Sequence, residues 1–307
     1  MINILTNKDK SKTNMKKRKQ NIFLFCMLVF PVAQFCVFYI GVNFNSILLA
    51  FKSYDYFGNA TPVGLKNFVD FFSDAFNDLA MITRVKNSAI QYLVSLVIST
   101  PLNIVVSYCV WRKVPWGGFF KFILFLPSMI SSIVFVLIFK YLAEFAIPIV
   151  LGTPDMDSLI TSINTGFWTV LIYGIWIGFA GGLILYLGAM SRIPNDVVEY
   201  AALDGMGALR EFWYIVVPHI FPTITTFLVV GVAHFFSNYG HFYSFYSVEA
   251  PVAFQTLGYY FFIKVLNMET YVEYPYAAAA GLSFTLIAAP ITLMVKWALE
   301  KFGPSED

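Results

Sequence analysis

The chain has 307 residues, of which 58% are hydrophobic, 19% aromatic and only 12% charged, with a formal net charge of +2 and a mean hydropathy of +0.69. A soluble domain of this length carries roughly twice that share of charged residues, which argues against a water-soluble globular enzyme. So small a net charge gives no ground for a nucleic-acid partner.

The first twenty residues form a basic tail, with Lys8, Lys10, Lys12, Lys16, Lys17, Arg18 and Lys19. Beyond it, Asp, Glu, Lys and Arg are missing from six stretches: Gln20 to Phe51, Asn87 to Trp111, Phe122 to Phe139, Ser158 to Ser191, Phe212 to Val248 and Tyr274 to Val295. Each meets or approaches the ~20 residues a helix needs to cross a bilayer. Backbone groups in lipid must be satisfied within their own segment, so each stretch is read as a helix. The expectation is an all-α membrane protein with transmembrane helices at about 21–43, 87–111, 119–142, 166–190, 217–239 and 275–299, within a membrane domain of residues 21–300 and ahead of a short tail, 301–307. The first stretch is long and lacks a small-residue cleavage site, so it reads as an uncleaved span rather than a signal peptide.

Between the first two spans, 62-PVGLKNFVDFF-72 places Phe68, Val69, Phe71 and Phe72 in an amphipathic pattern after a Pro–Gly break. This predicts a short helix at the membrane interface; a partner-docking surface is the functional alternative. Lys and Arg divide fourteen to six between the two faces, the tail lying on the richer one. Both termini are therefore expected in the cytoplasm. Cys26, Cys36 and Cys109 fall inside spans, and no CxxC pair or His/Cys spacing fits a disulfide or metal site.

The fourth span contains 173-YGIWIGFAGG-182, where Gly174, Gly178, Gly181 and Gly182 leave room beside Tyr173 and Trp176. The end of the fifth contains 234-HFFSNYGHF-242, with His234, Ser237, Asn238, Tyr239 and His241. Aromatic faces with side-chain hydrogen-bonding groups suit a polar solute, and polar groups within spans tend to face a cavity. These two clusters are the candidate substrate path, with ordinary helix packing as the plain alternative.

Between those spans lies a polar loop, 191–217. Pro194 and Asn195 signal a helix start, and Asp196 and Glu199 sit in its first turns, where the dipole favours acids. Val198, Ala201 and Ala202 are expected on one face. Gly205 suits a turn because it tolerates positive φ. A second helix is expected from about Ala208 to Val217, with Pro218 opening the next element.

The pattern Glu199, Ala201, Asp204, Gly205, Ile215, Pro218 resembles the EAA loop of bacterial ABC importer permeases, with Tyr200 and Val217 as departures. The GLKNF loop, Leu126-Pro127 and 193-IPNDVVEYAALDG-205 extend the likeness to maltose-type sugar permeases over almost everything after the tail. The resemblance implies a type I importer permease fold. It also implies a second related permease, a cytoplasmic ATPase dimer, an extracytoplasmic solute-binding protein and a sugar, expected to be an oligosaccharide, as cargo. The EAA helix would be the coupling helix: Glu199 would meet a basic ATPase residue, Ala201 and Ala202 would form a close-packed docking face, and Gly205 would allow the bend. Asp204, Ile215 and Pro218 complete the motif. In these permeases sugar-contacting residues come from the fourth and fifth spans; by position they would be Ile177 and Gly178, with Phe235, Ser237 and Asn238.

No GxxxxGK[ST] is present, so ATP and Mg would belong to the partner ATPase, and this chain would be a transport subunit of the bacterial cytoplasmic membrane with no cofactor or metal of its own. The competing class is a proton-coupled transporter with a His234–His241 relay. No Asp, Glu, Lys or Arg lies between Phe212 and Val248 to accompany those histidines.

Overall fold

The computed structural model describes residues 19–150, 152, 158–267 and 272–304. Most of the basic tail and residues 305–307 lie outside the described residues. The chain divides into two compact units, Met1–Val69 with Thr270–Leu282 and Asp70–Glu269 with Ser283–Asp307.

In the first unit, α1 (Lys19–Ala50) is a helix of 32 residues. It is followed by a small antiparallel hairpin, β1 (Lys52–Tyr54) and β2 (Ala60–Pro62), with Ser53 opposite Thr61. Asp55 builds the turn: its carboxylate accepts hydrogen bonds from the Asn59 side chain and from the backbone N–H groups of Phe57 and Asn59. The Asn59 side chain is the main reason the Asp55 pKa lies below its ordinary 3.8. Asn67 fixes the base of the hairpin by donating to the carbonyls of Ala50 and Lys52, both at 2.8 Å.

Residues 66–77 form α2 (Lys66–Asn77), the expected short helix. Then come α3 (Leu79–Trp111), capped by Asp78, whose side chain accepts from the Ala80 N–H at 2.9 Å, and α4 (Gly117–Met129). After them run α5 (Ser132–Val150) and α6 (Gly166–Met190), the latter bent by 40° beside Ala180, next to the Gly181–Gly182 pair. The remainder is α7 (Asn195–Leu203), α8 (Ala208–His234), α9 (Phe242–Tyr246), α10 (Leu257–Leu266) and α11 (Tyr274–Phe302). Helices α1, α3, α5, α8 and α11 are long and apolar enough to cross a membrane, and bent α6 makes a sixth. The hairpin is the one sheet among the described residues.

Two elements differ from the sequence expectation. The region 119–142 is not one helix: α4 ends at Met129, Ile130 and Ser131 are extended, and the membrane-length helix is α5. Pro127 lies in the last turn of α4, where it cannot donate to the turn before it. Conversely, no break occurs at Pro218. The helix that begins at Ala208 continues to His234, so 235–239 fall beyond it.

Three of the prolines inside these helices are accommodated by a repeated device, while Pro31, Pro222 and Pro290 lie within helices without it. Five-residue π segments occupy Ser95–Ser99, Leu142–Ala146 and Phe212–Val216, and in each case one residue and then a proline follow: Pro101, Pro148 and Pro218. The residue before each proline donates its N–H five positions back: Thr100 to Ser95, Ile147 to Leu142 and Val217 to Phe212. A proline ring collides with the carbonyl four residues earlier and offers it no proton. The wider turn moves that carbonyl aside while keeping the neighbouring amide bonded. A fourth π segment, Phe35–Gly41, has no such proline after it, and no cause for it is apparent.

The second unit holds two apolar clusters. One gathers Phe135, Phe167, Tyr173, Phe242, Phe245, Phe254 and Tyr259 around the start of α6; the other gathers Ile104, Tyr108, Tyr186, Met190, Ala201, Ile215, Val216 and Ile220 around its end.

Because Asn67 supplies both bonds at the hairpin base, Asn67→Ala should cost about 1–3 kcal/mol locally. Limited proteolysis should then cut between Asp55 and Asn59 several-fold faster, with α1 still inserted.

Candidate functional site

The functional residues fall at opposite ends of the second unit. At one end α7 begins after Pro194 and closes with a complete Schellman cap. Gly205 sits at φ +71, its N–H donates to the Ala202 carbonyl at 3.1 Å, and the Met206 N–H donates to the Ala201 carbonyl at 2.9 Å. Met206 and Ala201 pack in the same cluster, supplying the apolar contact that accompanies this motif. Glycine is needed for its dihedral rather than its size, since a Cβ there would meet nothing within 4 Å.

Residues Ala201 and Ala202 do not share a face. Ala201 is buried in the cluster with Met190, Ile193 and Ile215, whereas Ala202 is exposed, because successive helical residues lie 100° apart. The free side of α7 consists of Glu199, Tyr200, Ala202 and Leu203, with Asp204 beyond; Leu203 is 82% exposed. Sequence reasoning assigned the docking face to two alanines and missed Tyr200 and Leu203. Spacing of three residues between two large apolar side chains, on a helix too short to span, was the available signal. Ile215 is buried, and Pro218 lies within α8.

A buried ion pair lies beside this turn. Glu211, 1% exposed, lies 3.1 Å from the Arg112 guanidinium at the end of α3. The Tyr108 hydroxyl sits 3.2 Å from Glu211 Oε1 and 2.8 Å from the Ala208 carbonyl, its single proton serving both. This cluster attaches the start of α8, and so the α7 turn, to α3. A buried charge left without its partner is far costlier than a solvated one.

At the other end, two adjoining cavities of about 180 and 90 Å³ share Gln91, Ser95 and Asn238. The larger also takes in Ser99, Gly174 and His241, and the smaller takes in Ser88, Thr100, His234 and Phe235. No Asp, Glu, Lys or Arg lines either. The first turns of α3 are held by a buried polar network. Arg84 Nε donates to Gln255 Oε1 at 2.9 Å, with its guanidinium 3.9 Å from the Tyr260 ring centre. Asn87 donates to the carbonyls of Ala253 and Gln255, and Ser88 accepts from the Leu257 N–H. This network fixes the turn of α3 that carries Gln91.

The expected path residues are sorted by these cavities. His234, Phe235 and Asn238 line them. Tyr173 does not; it is 1% exposed and packs edge-on against Phe139, His241 and Phe245. Trp176 lies against Phe135, and Ile177 borders the aromatic cluster. Gly178 is outside both linings, with nothing within 4 Å of its Cβ position. Ser237 turns back toward the His234 carbonyl, and Tyr239 stacks on Phe262. The cavity wall that sequence reasoning missed is α3, with Ser88, Gln91, Ser95 and Ser99. Burial depresses the His241 pKa below its ordinary 6.5, leaving the ring neutral at physiological pH without a carboxylate in the cavity lining.

The ion pair makes an asymmetric prediction. Arg112→Ala strands a fully buried carboxylate and should cost roughly 3–5 kcal/mol. Glu211→Ala leaves a guanidinium that can rehydrate and should cost about half as much. Melting of the purified protein in detergent measures both, and equal losses would contradict the arrangement.

A family model described as "Binding-protein-dependent transport system inner membrane component" matches residues 99–305. The multiple sugar-binding transport system permease protein MsmF of Streptococcus mutans is 24% identical over 210 residues, 67% of this chain and 71% of that protein. A probable ABC transporter permease protein of Mycoplasma genitalium, MG188, is 28% identical over 171 residues, 52% of each, so this chain spans about half of that relative. A bacterial ABC transporter involved in the import of the acidic polysaccharide alginate shares the fold: its solved structure matches 94% of this chain and 98% of its own, with a TM-score of 0.75 at 21% identity.

Proposed function

The chain belongs to the family of binding-protein-dependent transport system inner membrane components, and on that premise we propose that it is the permease subunit of an ATP-driven sugar importer. It is a transport subunit and not an enzyme. Its cargo is a neutral oligosaccharide, delivered by an extracytoplasmic binding protein. A second related permease completes the path, and a cytoplasmic ATPase dimer, carrying the ATP and Mg, drives it. Both termini face the cytoplasm.

The observation that carries this reading is α7. One side of it is welded to the spans through Ala201, Met206 and the Glu211–Arg112 pair, and the other presents Tyr200 and Leu203 bare. A helix built this way transmits a push as a rigid body, because its attachment is buried and its Schellman turn is fixed. Exposed apolar side chains on an element outside the membrane favour a protein partner. Glu199 beside them offers a carboxylate to a basic side chain of the ATPase.

The cargo reading rests on the cavity chemistry and on the relatives. MsmF is named for multiple-sugar transport. The alginate importer carries an acidic polysaccharide, whereas the cavities here present amides, hydroxyls and imidazoles with no cation to meet a carboxylate.

The test is isolation of this chain from its native membrane in mild detergent. A soluble ATPase and a second permease are expected to accompany it. Leu203→Arg should lose the ATPase while keeping the second permease, and Glu199→Ala should weaken the same association. Gly205→Asn, which tolerates positive φ, should retain coupling, whereas Gly205→Trp should abolish uptake with insertion intact. Undiminished uptake by Gly205→Trp and Leu203→Arg would remove α7 from the coupling role.

A further inference from the structure

Helix α3 carries a polar residue at every fourth position over about half of its length: Gln91, Ser95, Ser99, Asn103 and Ser107. Four residues overshoot one helical turn by 40°, and the wider π turn at Ser95–Ser99 takes up part of that drift. The first three members line the larger cavity. The last two are shut away, Asn103 at 6% exposure and Ser107 at 0%.

Those two are also unsatisfied. Asn103 Nδ2 donates back along the ladder to the Ser99 carbonyl at 2.9 Å, but its Oδ1 has no partner, and neither has Ser107 Oγ. Serine and threonine in a helix commonly bond the carbonyl four residues back, as Ser46, Thr83, Ser191 and Thr226 do here. Ser107 does not. A buried polar atom without a hydrogen bond is destabilising, so two on one stripe of one membrane helix call for a reason.

Opposite the ladder, α6 has glycines at the same spacing, Gly174, Gly178 and Gly182. Gly174 lines the larger cavity with Ser95 and Ser99. Gly182 receives Asn103 so closely that a Cβ on it would fall 2.6 Å from the amide carbon. The glycine track therefore borders the larger cavity at Gly174 and is closed by Asn103 at Gly182, near the bend of α6.

We propose that this polar ladder is a wall of the solute path, and that its inner half, Asn103 and Ser107, is sealed against α6 in this structure and becomes wet when α7 moves. The inference rests on the permease reading and assigns the second span, rather than the fourth and fifth alone, to recognition of a hydroxyl-rich solute. In the sealed state the ladder ends in a plug made by one amide on one glycine. In the open state water and sugar hydroxyls supply the partners that Asn103 Oδ1 and Ser107 Oγ lack, which offsets the separation of packed apolar surface around them.

The experiment uses the whole transporter, this chain with its ATPase and companion permease, in proteoliposomes. Cys26, Cys36 and Cys109 are replaced by alanine, and single cysteines are placed by Ser95→Cys, Asn103→Cys and Ser107→Cys. The probe is the charged reagent 2-sulfonatoethyl methanethiosulfonate, applied without nucleotide and after trapping with ATP and vanadate. Modification at 103 and 107 should change by at least about tenfold between the two states, as a shift of ~1.4 kcal/mol in the sealing equilibrium requires. Should Asn103→Cys fail to assemble, the near-isosteric Ser107→Cys decides alone. Silence at 107 in both states, with Ser95→Cys still modified, overturns the proposal and makes these groups interhelical packing, while the importer reading stands. Silence at 95 as well, in a transporter that still imports, removes the cavity from the path altogether.

Discussion

Hydrocarbon offers no hydrogen bond, and the cost of an unpaired polar group there governs this molecule at every level. It makes the apolar stretches helices that satisfy their own backbone. It explains why three prolines inside long helices each follow a π segment: the amide before the ring stays bonded, and the carbonyl the ring would strike is moved aside. It explains why Arg84, Asn87 and Ser88, buried at the start of α3, are each matched to a group in the 253–257 segment.

The same constraint gives meaning to the two kinds of buried polar group in the second unit. Glu211 is fully buried and fully partnered, by Arg112 and Tyr108, and it serves as an attachment. Asn103 and Ser107 are buried with unpartnered oxygens, and they sit in line with a polar cavity. A satisfied group in a low-dielectric site holds its surroundings in one arrangement; an unsatisfied one lowers the free-energy gap to an arrangement that would satisfy it. On the reading proposed above, the α7 end stays rigid while the middle of the α3–α6 contact separates. A subunit that converts movement at one end into opening in the middle needs that contrast.

Much of this was legible from the residues. The helix start at Asn195, the left-handed Gly205 and the length of α6 all follow from signals within a few residues of one another. The cavity was half legible: Asn238 and His234 stood out as polar residues at the end of an apolar run, but the serines of α3 look unremarkable one at a time. Tyr173 misled for a related reason. An aromatic beside glycines reads as a sugar platform until Phe139, His241 and Phe245, all distant in sequence, are found around it. The helix boundaries at Ile130 and Pro218 were misplaced because a proline can either end a helix or be absorbed by a π turn, and the sequence around it does not say which.

By itself the sequence determined how many membrane-length helices form, where the short polar helix between the fourth and fifth of them begins, and which glycine ends it. Those are matters of transfer free energy summed along a segment and of hydrogen bonds that reach one turn. Only the tertiary structure decided that Ala201 faces in and Tyr200 and Leu203 face out, that Glu211 meets Arg112, and that the ladder of α3 closes against the glycines of α6. Each depends on how a helix is rotated about its own axis. A segment that is apolar around its whole circumference leaves that angle open until a neighbouring helix fixes it.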